Sequence, residues 1–213
     1  MVESAAANKS LADETYDALL EEILAARLAG GTVVQERRLA ERLGVSRSPM
    51  RDALGRLEGQ GLLIRNDKGV LTVRIIALTD YLNAISVRML LEPTAAALAA
   101  EAIDAAEVKR LAEMLEALDA DPDPEPAVVW AFDDVLHDSI GAASGNPFMA
   151  ETIVRMRRYT TIFERQRKLA QRKPGLEDHQ AILRALAARD PQAAREAMTI
   201  HLDQVRRNVL TTY

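Results

Sequence analysis

Cysteine is absent from the 213-residue chain. That excludes a disulfide framework and any thiolate metal site, and nothing points to an oxidising compartment. The opening MVESAAANKS lacks an apolar signal core, and no later run approaches the roughly 20 apolar residues a membrane span requires. A cytoplasmic protein with no membrane partner is the expectation. Histidine is scarce, at three residues, so each imidazole can be followed individually. The length accommodates a small amino-terminal domain and a second of about 140 residues, each able to bury a core.

What is present speaks first between Leu39 and Leu62. Leu39, Ala40 and Leu43 give a short helix an apolar stripe, and Gly44 can take the left-handed conformation a tight turn needs. Val45 plugs that turn. Ser46 or Ser48 can cap a second helix and Pro49 suits its first turn, while Met50, Ala53, Leu54 and Leu57 recur at helical spacing as its buried face. Arg47, Ser48 and Arg51 are left facing outward, at the end of the helix that a helix-turn-helix inserts into the major groove. Charge agrees with this. The chain carries a formal charge of −5, yet residues 35 to 75 hold nine Lys or Arg against five Asp or Glu. Such a local positive field suits phosphate binding, and an acidic remainder discourages indiscriminate contact with nucleic acid.

Two β-favouring runs follow, Leu62 to Arg65 and Val70 to Arg74, joined by the turn Asn66-Asp67-Lys68-Gly69, and they predict a two-stranded wing. A preceding helix over Glu14 to Leu28 supplies Leu19, Leu20, Ile23, Leu24 and Leu28 as backing. The segment from Thr15 to Val73 resembles the amino-terminal domain of GntR-superfamily transcriptional regulators. The resemblance implies DNA contacts by Arg37, Arg47, Ser48 and Arg51, with Lys68 and Gly69 of the wing tip in the minor groove. One departure is Gly30-Gly31 in place of the usual proline-glycine pair, which is expected to loosen that loop. The implied domains are a flexible arm over residues 1–10, a winged helix-turn-helix over 11–75 and an all-helical domain over 76–213. The fold class is mostly α, with the two-stranded wing as its β content.

Beyond Arg74 the chain is rich in alanine, leucine, arginine and glutamate, and helical periodicity is broken at prolines and glycines. Helices are predicted near 79–102, 105–118, 126–143, 147–169, 176–188 and 191–210, with starts at Thr79, Asp104, Asn146 and Asp190. The acidic proline-rich stretch Asp119 to Pro126 reads as an exposed connector. Asp133 and His137 stand four apart, on one face of a helix. His179 and His201 lie eleven residues either side of Asp190, so an antiparallel pair brings them level. If the two pairs meet across the bundle, one carboxylate and three imidazoles form a site suited to zinc, nickel, manganese or iron(II), with zinc the first expectation.

The runs VRMLLEPTAAALAA, FDDVLHDSIGAASGNP and EDHQAILRALAARDPQAAREAM and the later His201-Leu202 resemble the ligand-binding domain of the FadR-like branch. In that branch a divalent metal is often held by one Asp and three His, and the matching positions are Asp133, His137, His179 and His201. The resemblance further implies a small carboxylate effector held by the metal, with Arg88 as a cationic contact. Arg155 and Arg158, level with Asp133 and His137 across a hairpin near Gly145, could also reach an anion, but surface salt bridging is the expectation for each. The combined expectation is an effector-controlled repressor, a homodimer on a palindromic double-stranded operator. Two other classes fit parts of the pattern. One is a metal-dependent enzyme, against which stand the winged helix and the lack of an HExxH arrangement. The other is a dimeric DNA-binding protein whose helical domain is only a dimerisation scaffold, with a fatty-acyl ligand or none.

Overall fold

A computed structural model describes residues 9–166 and 176–212, which fall into two compact units divided between Ile76 and Ala77. In the first, α1 (Leu11–Leu24), α2 (Glu36–Leu43) and α3 (Arg47–Gly59) precede an antiparallel hairpin, β1 (Leu63–Arg65) and β2 (Leu71–Val73), with Ile64 opposite Thr72. The first helix starts earlier than periodicity predicts. Ser10 accepts from the Asp13 N–H and Asp13 caps the Ser10 N–H in return, so two otherwise unpaired donors are satisfied ahead of the apolar stripe. Of the arm expected over residues 1–10, Ser10 therefore belongs to this cap, and residues 1–8 lie outside the described residues.

Gly44 closes α2 at φ 65°, and Val45 N–H reaches back to the Ala40 carbonyl. A Cβ-bearing residue would be strained there, so this glycine sets the angle between the two helices. Tyr16, Leu19, Ile23, Leu39, Met50, Ala53 and Leu57 form the core behind α3. The Gly30-Gly31 loop is tied rather than loose. Gly31 N–H donates to the Val73 carbonyl, Val34 N–H to Leu71, and Val33 makes an isolated bridge with Thr72. A Cβ on Gly30 would sit 3.1 Å from the Ile75 Cα, so the chain passes close to the wing where little beyond glycine fits.

The second unit comprises α4 (Leu78–Ala102), α5 (Ala105–Ala120), α6 (Pro126–Ala143), α7 (Pro147–Gln166), α8 (Leu176–Ala187) and α9 (Pro191–Thr212). Residues 167–169 of the predicted fourth helix of this unit lie outside the described residues. Asp104, Asn146 and Asp190 each accept from an N–H in the first turn of the following helix. Thr79 does not start α4. The Asp80 carboxylate instead accepts from Ala77 N–H, one turn back. α4 is the central element, packed against α6, α7, α8 and α9. Ala95, Ala96, Ala99 and Ala100 are fully buried along it, and such small side chains let several neighbours approach one axis. Among the described residues no helix is long and apolar enough to cross a membrane.

Candidate functional site

The first unit presents the predicted DNA residues on its surface. Arg47 and Ser48 are exposed in the first turn of α3, Arg51 one turn later, and Arg37 on α2. Ser46 precedes α3 with extended backbone but makes no side-chain cap, so it offers its hydroxyl to solvent. Arg51 Nε donates to Glu36 Oε1 at 2.8 Å, and Arg37 pairs with Glu41 at 3.1 Å. These pairs are solvent-exposed and therefore cheap to exchange for phosphate or base contacts. At the wing tip the Asn66 side chain accepts from the N–H groups of Lys68 and Val70, and Gly69 adopts φ 76°. Arg65 fixes the wing. It binds both carboxylate oxygens of Glu58 on α3, at 3.0 and 2.9 Å, and donates to the Gly69 carbonyl. Glu36, Glu58 and Arg65 escape a reading of sequence because their pairings join separate elements.

In the second unit α6, α8 and α9 bring Asp133, His137, His179 and His201 together, with one donor atom from each inside a span of 4.8 Å. The rings of His179 and His201 are 4.7 Å apart and those of His137 and His201 5.3 Å. All three imidazoles are buried. His137 Nε2, both nitrogens of His179 and Nδ1 of His201 have no hydrogen-bond partner among the described residues. Core histidines ordinarily satisfy their ring nitrogens, because a buried unpaired polar atom costs about 1–3 kcal/mol. Convergent lone pairs beside a carboxylate are what a cation would satisfy, so the donor set fits a divalent metal.

A second layer of residues orients these groups. Glu92 Oε2 lies 2.5 Å from His137 Nδ1, which leaves Nε2 for the cluster. Glu92 Oε1 accepts from Arg88 Nε, and a terminal nitrogen of Arg88 donates to the Thr160 hydroxyl at 2.9 Å. The predicted effector contact Arg88 is thus buried behind the site and joined to its scaffold. Arg157 donates to Asp133 Oδ2 at 2.9 Å, while Oδ1 faces His137 and His179 at 3.6 and 3.4 Å. One oxygen is anchored and the other aimed inward. Burial opposes ionisation of Asp133, but Arg157 and His137 outweigh it and hold the carboxyl well below the usual range. Glu92 is likewise held down against burial, by Arg88 and then His137.

The cation beside Asp133 is Arg157, which the sequence reading did not single out; Arg155 is exposed and Arg158 half-buried. The signal was its place on the stripe Ile153, Arg157, Thr160, Glu164, spaced four, three and four apart on α7. Asp133 and Asp134 keep 31% and 39% of their side chains accessible, so the cluster is reached from its carboxylate side.

Two groups nearby, the buried His201 and the half-buried Glu164, titrate in opposite senses. Burial holds His201 well below its ordinary 6.5, helped by His179 and His137. Burial pushes Glu164 from 4.5 up to about 7, against the pull of Arg88. Between those ordinary values, unfolding lets His201 gain a proton and Glu164 release one, so their effects on stability cancel. In metal-free protein, Glu164→Gln should remove the term that favours folding at low pH. Its stability should then fall, relative to wild type, by up to about 1.4 kcal/mol per pH unit as pH drops from about 7 to 4.5. Urea denaturation across that range checks this; parallel profiles for variant and wild type would contradict it.

Comparisons with known proteins agree with this architecture. Residues 11–73 match the family described as bacterial regulatory proteins, gntR family, and residues 83–204 match the FCD domain. The chain is 29% identical over 215 residues to the uncharacterized HTH-type transcriptional regulator YcbG of Bacillus subtilis, covering 95% of this chain and 91% of that protein. It is 29% identical to a probable D-xylose utilization operon transcriptional repressor of Paenarthrobacter nicotinovorans, covering 91% and 86%. The solved structure of Escherichia coli McbR/YncC shares the fold, with a TM-score of 0.83 at 22% identity over 97% of this chain and all of that one. The Bacillus and Paenarthrobacter relatives are described as regulators of transcription, not as enzymes. A helix-turn-helix with a two-stranded wing, followed by a helical domain with a buried Asp/His cluster able to hold a metal, makes this chain a transcriptional regulator of the GntR family with a carboxy-terminal FCD domain.

Proposed function

We propose that the protein is a homodimeric repressor whose hold on a palindromic operator is released by a small carboxylate bound at a divalent metal. Asp133, His137, His179 and His201 hold the ion, with zinc the first choice for a donor set of three nitrogens and one oxygen, and nickel, manganese or iron(II) the alternatives. The observation that carries this reading is the set of buried, unpartnered imidazole nitrogens converging beside Asp133.

Charge supports an anionic effector. The carboxylates of Glu92, Asp133 and Asp134 are matched by the guanidinium groups of Arg88, Arg157 and Arg165. With these pairs balanced, a divalent ion adds positive charge at the cluster that a carboxylate offsets. On the DNA side Arg47, Ser48 and Arg51 read the major groove, Arg37 supports them, and Lys68 with Gly69 enters the minor groove. Repression is favoured over activation because the Paenarthrobacter relative is described as a repressor.

The test is operator binding by the metal-loaded full-length protein, on a site selected from random duplexes. Arg47→Ala and Arg51→Ala should each weaken specific binding by roughly 1–3 kcal/mol with circular dichroism unchanged. Small carboxylates should lower operator affinity by about 5- to 150-fold, the usual range of coupling between sites. Wild-type affinity in both arginine variants would reject the reading head, and indifference to every carboxylate would reject the switch.

A further inference from the structure

Gly55 lies inside α3, where glycine lowers helix stability relative to alanine. The fold does not call for it. A Cβ on Gly141, the glycine inside α6, would sit 3.6 Å from the Ala150 Cα, and Gly59 is the last residue of α3. A Cβ on Gly55 would meet nothing within 4 Å among the described residues. Gly55 is exposed and lines a groove of about 400 Å³ between α3 and the wing, together with Arg51 and Glu58 of α3 and Arg65, Gly69 and Val70 of the hairpin. A Cβ on Gly69 would likewise meet nothing within 4 Å among the described residues. The groove is thus open at a glycine on each side.

An element in the major groove of DNA and another in the adjacent minor groove must straddle the sugar-phosphate strand that divides the two. Resting on the reading head proposed above, we propose that the space between α3 and the wing seats that strand, with Gly55 as the point of closest approach and Arg65 as a phosphate contact. Arg65 uses three of a guanidinium's five N–H donors on Glu58 and the Gly69 carbonyl, and two remain. It can therefore bind a phosphate without releasing the wing. Pinned on both oxygens of Glu58, the planar fork keeps its remaining donors in one orientation. The acidic groups of the groove do not oppose an anion as free charges, because Glu36 is paired with Arg51 and Glu58 with Arg65. Val70, 37% exposed, offers its methyl groups to a deoxyribose ring.

The experiment measures thermal unfolding and binding to the selected operator for full-length Gly55→Ala, Gly55→Leu and Arg65→Gln, with Arg47→Ala beside them. Both Gly55 variants should raise Tm by about 2–4 °C, because alanine and leucine favour helix over glycine. Operator affinity should fall all the same, severalfold for alanine and about tenfold or more for leucine, the scale of overpacking a close contact. A gain in stability with a loss of binding is not what damage to the fold produces. Arg65→Gln should reduce the slope of log affinity against log salt by about one unit, the mark of one lost phosphate contact. Wild-type affinity in both Gly55 variants, or an unchanged salt slope in Arg65→Gln, would overturn the seat, while impaired binding by Arg47→Ala in the same assay would keep the reading head. Wild-type affinity in Arg47→Ala as well would overturn the reading head, and the seat with it.

Discussion

Glu92→Ala should destabilise the helical domain by about 3–5 kcal/mol, the cost of breaking a buried ion pair from one side. The side chains of Arg88 and Glu92 are 4% and 1% exposed, so water cannot replace the lost carboxylate. Arg88 would keep its bond to Thr160 and lose its counter-charge. His137 would lose the acceptor at Nδ1, and the ring could then present either nitrogen to the cluster. Metal affinity should accordingly fall about 10- to 100-fold, as it does when the partner of a ligating histidine is removed. Glu92→Gln retains an acceptor oxygen without the charge and should cost less. Urea denaturation of metal-free protein measures the stability term separately from the affinity term. A loss under about 1 kcal/mol for Glu92→Ala would mean that Arg88 finds other compensation, since surface pairs rarely exceed that value.

Removing the metal is the second large perturbation. If the ion binds the native state alone and is present at 100 times its dissociation constant, it adds about 2.7 kcal/mol. For a chain of this size that corresponds to roughly 5–10 °C in Tm. Chelation should lower the Tm of wild type by that amount, and re-addition of zinc should restore it. His179→Ala removes an imidazole whose two nitrogens are both unpartnered among the described residues. The variant should therefore lose bound metal, and its Tm should ignore the chelator. Metal analysis of protein purified without added ions gives the stoichiometry, expected near one per chain. An unresponsive wild type that carries no metal would rule out the centre and leave three buried imidazoles in need of another explanation.

The parts legible in the sequence share one property: their geometry is set within a single helix, hairpin or turn. The apolar stripe of α3, Gly44 at the turn, and the caps at Asp104, Asn146 and Asp190 depend on neighbours a few residues away. Asp133 with His137 follows from helical repeat alone, and the approach of His179 to His201 follows from one short reversal at Asp190. Errors arose where two local signals competed. The reciprocal cap at Ser10 and Asp13 starts α1 ahead of the periodic stripe, and Asp80 caps α4 where Thr79 was the expected start.

Sequence by itself determined the kind of molecule: a winged reading head, a helical second domain, and four residues able to converge on one ion. Only the tertiary structure decided what surrounds them. Glu92 reaches His137 across 45 residues, Arg157 reaches Asp133 across 24, and Arg51 meets Glu36 across 15. The repeat of a helix fixes which residues share a face, but not how far one helix slides along another. That offset is set by the packing of many side chains at once, among them the alanines of α4. The partners of the cluster became identifiable only when every helix had found its place.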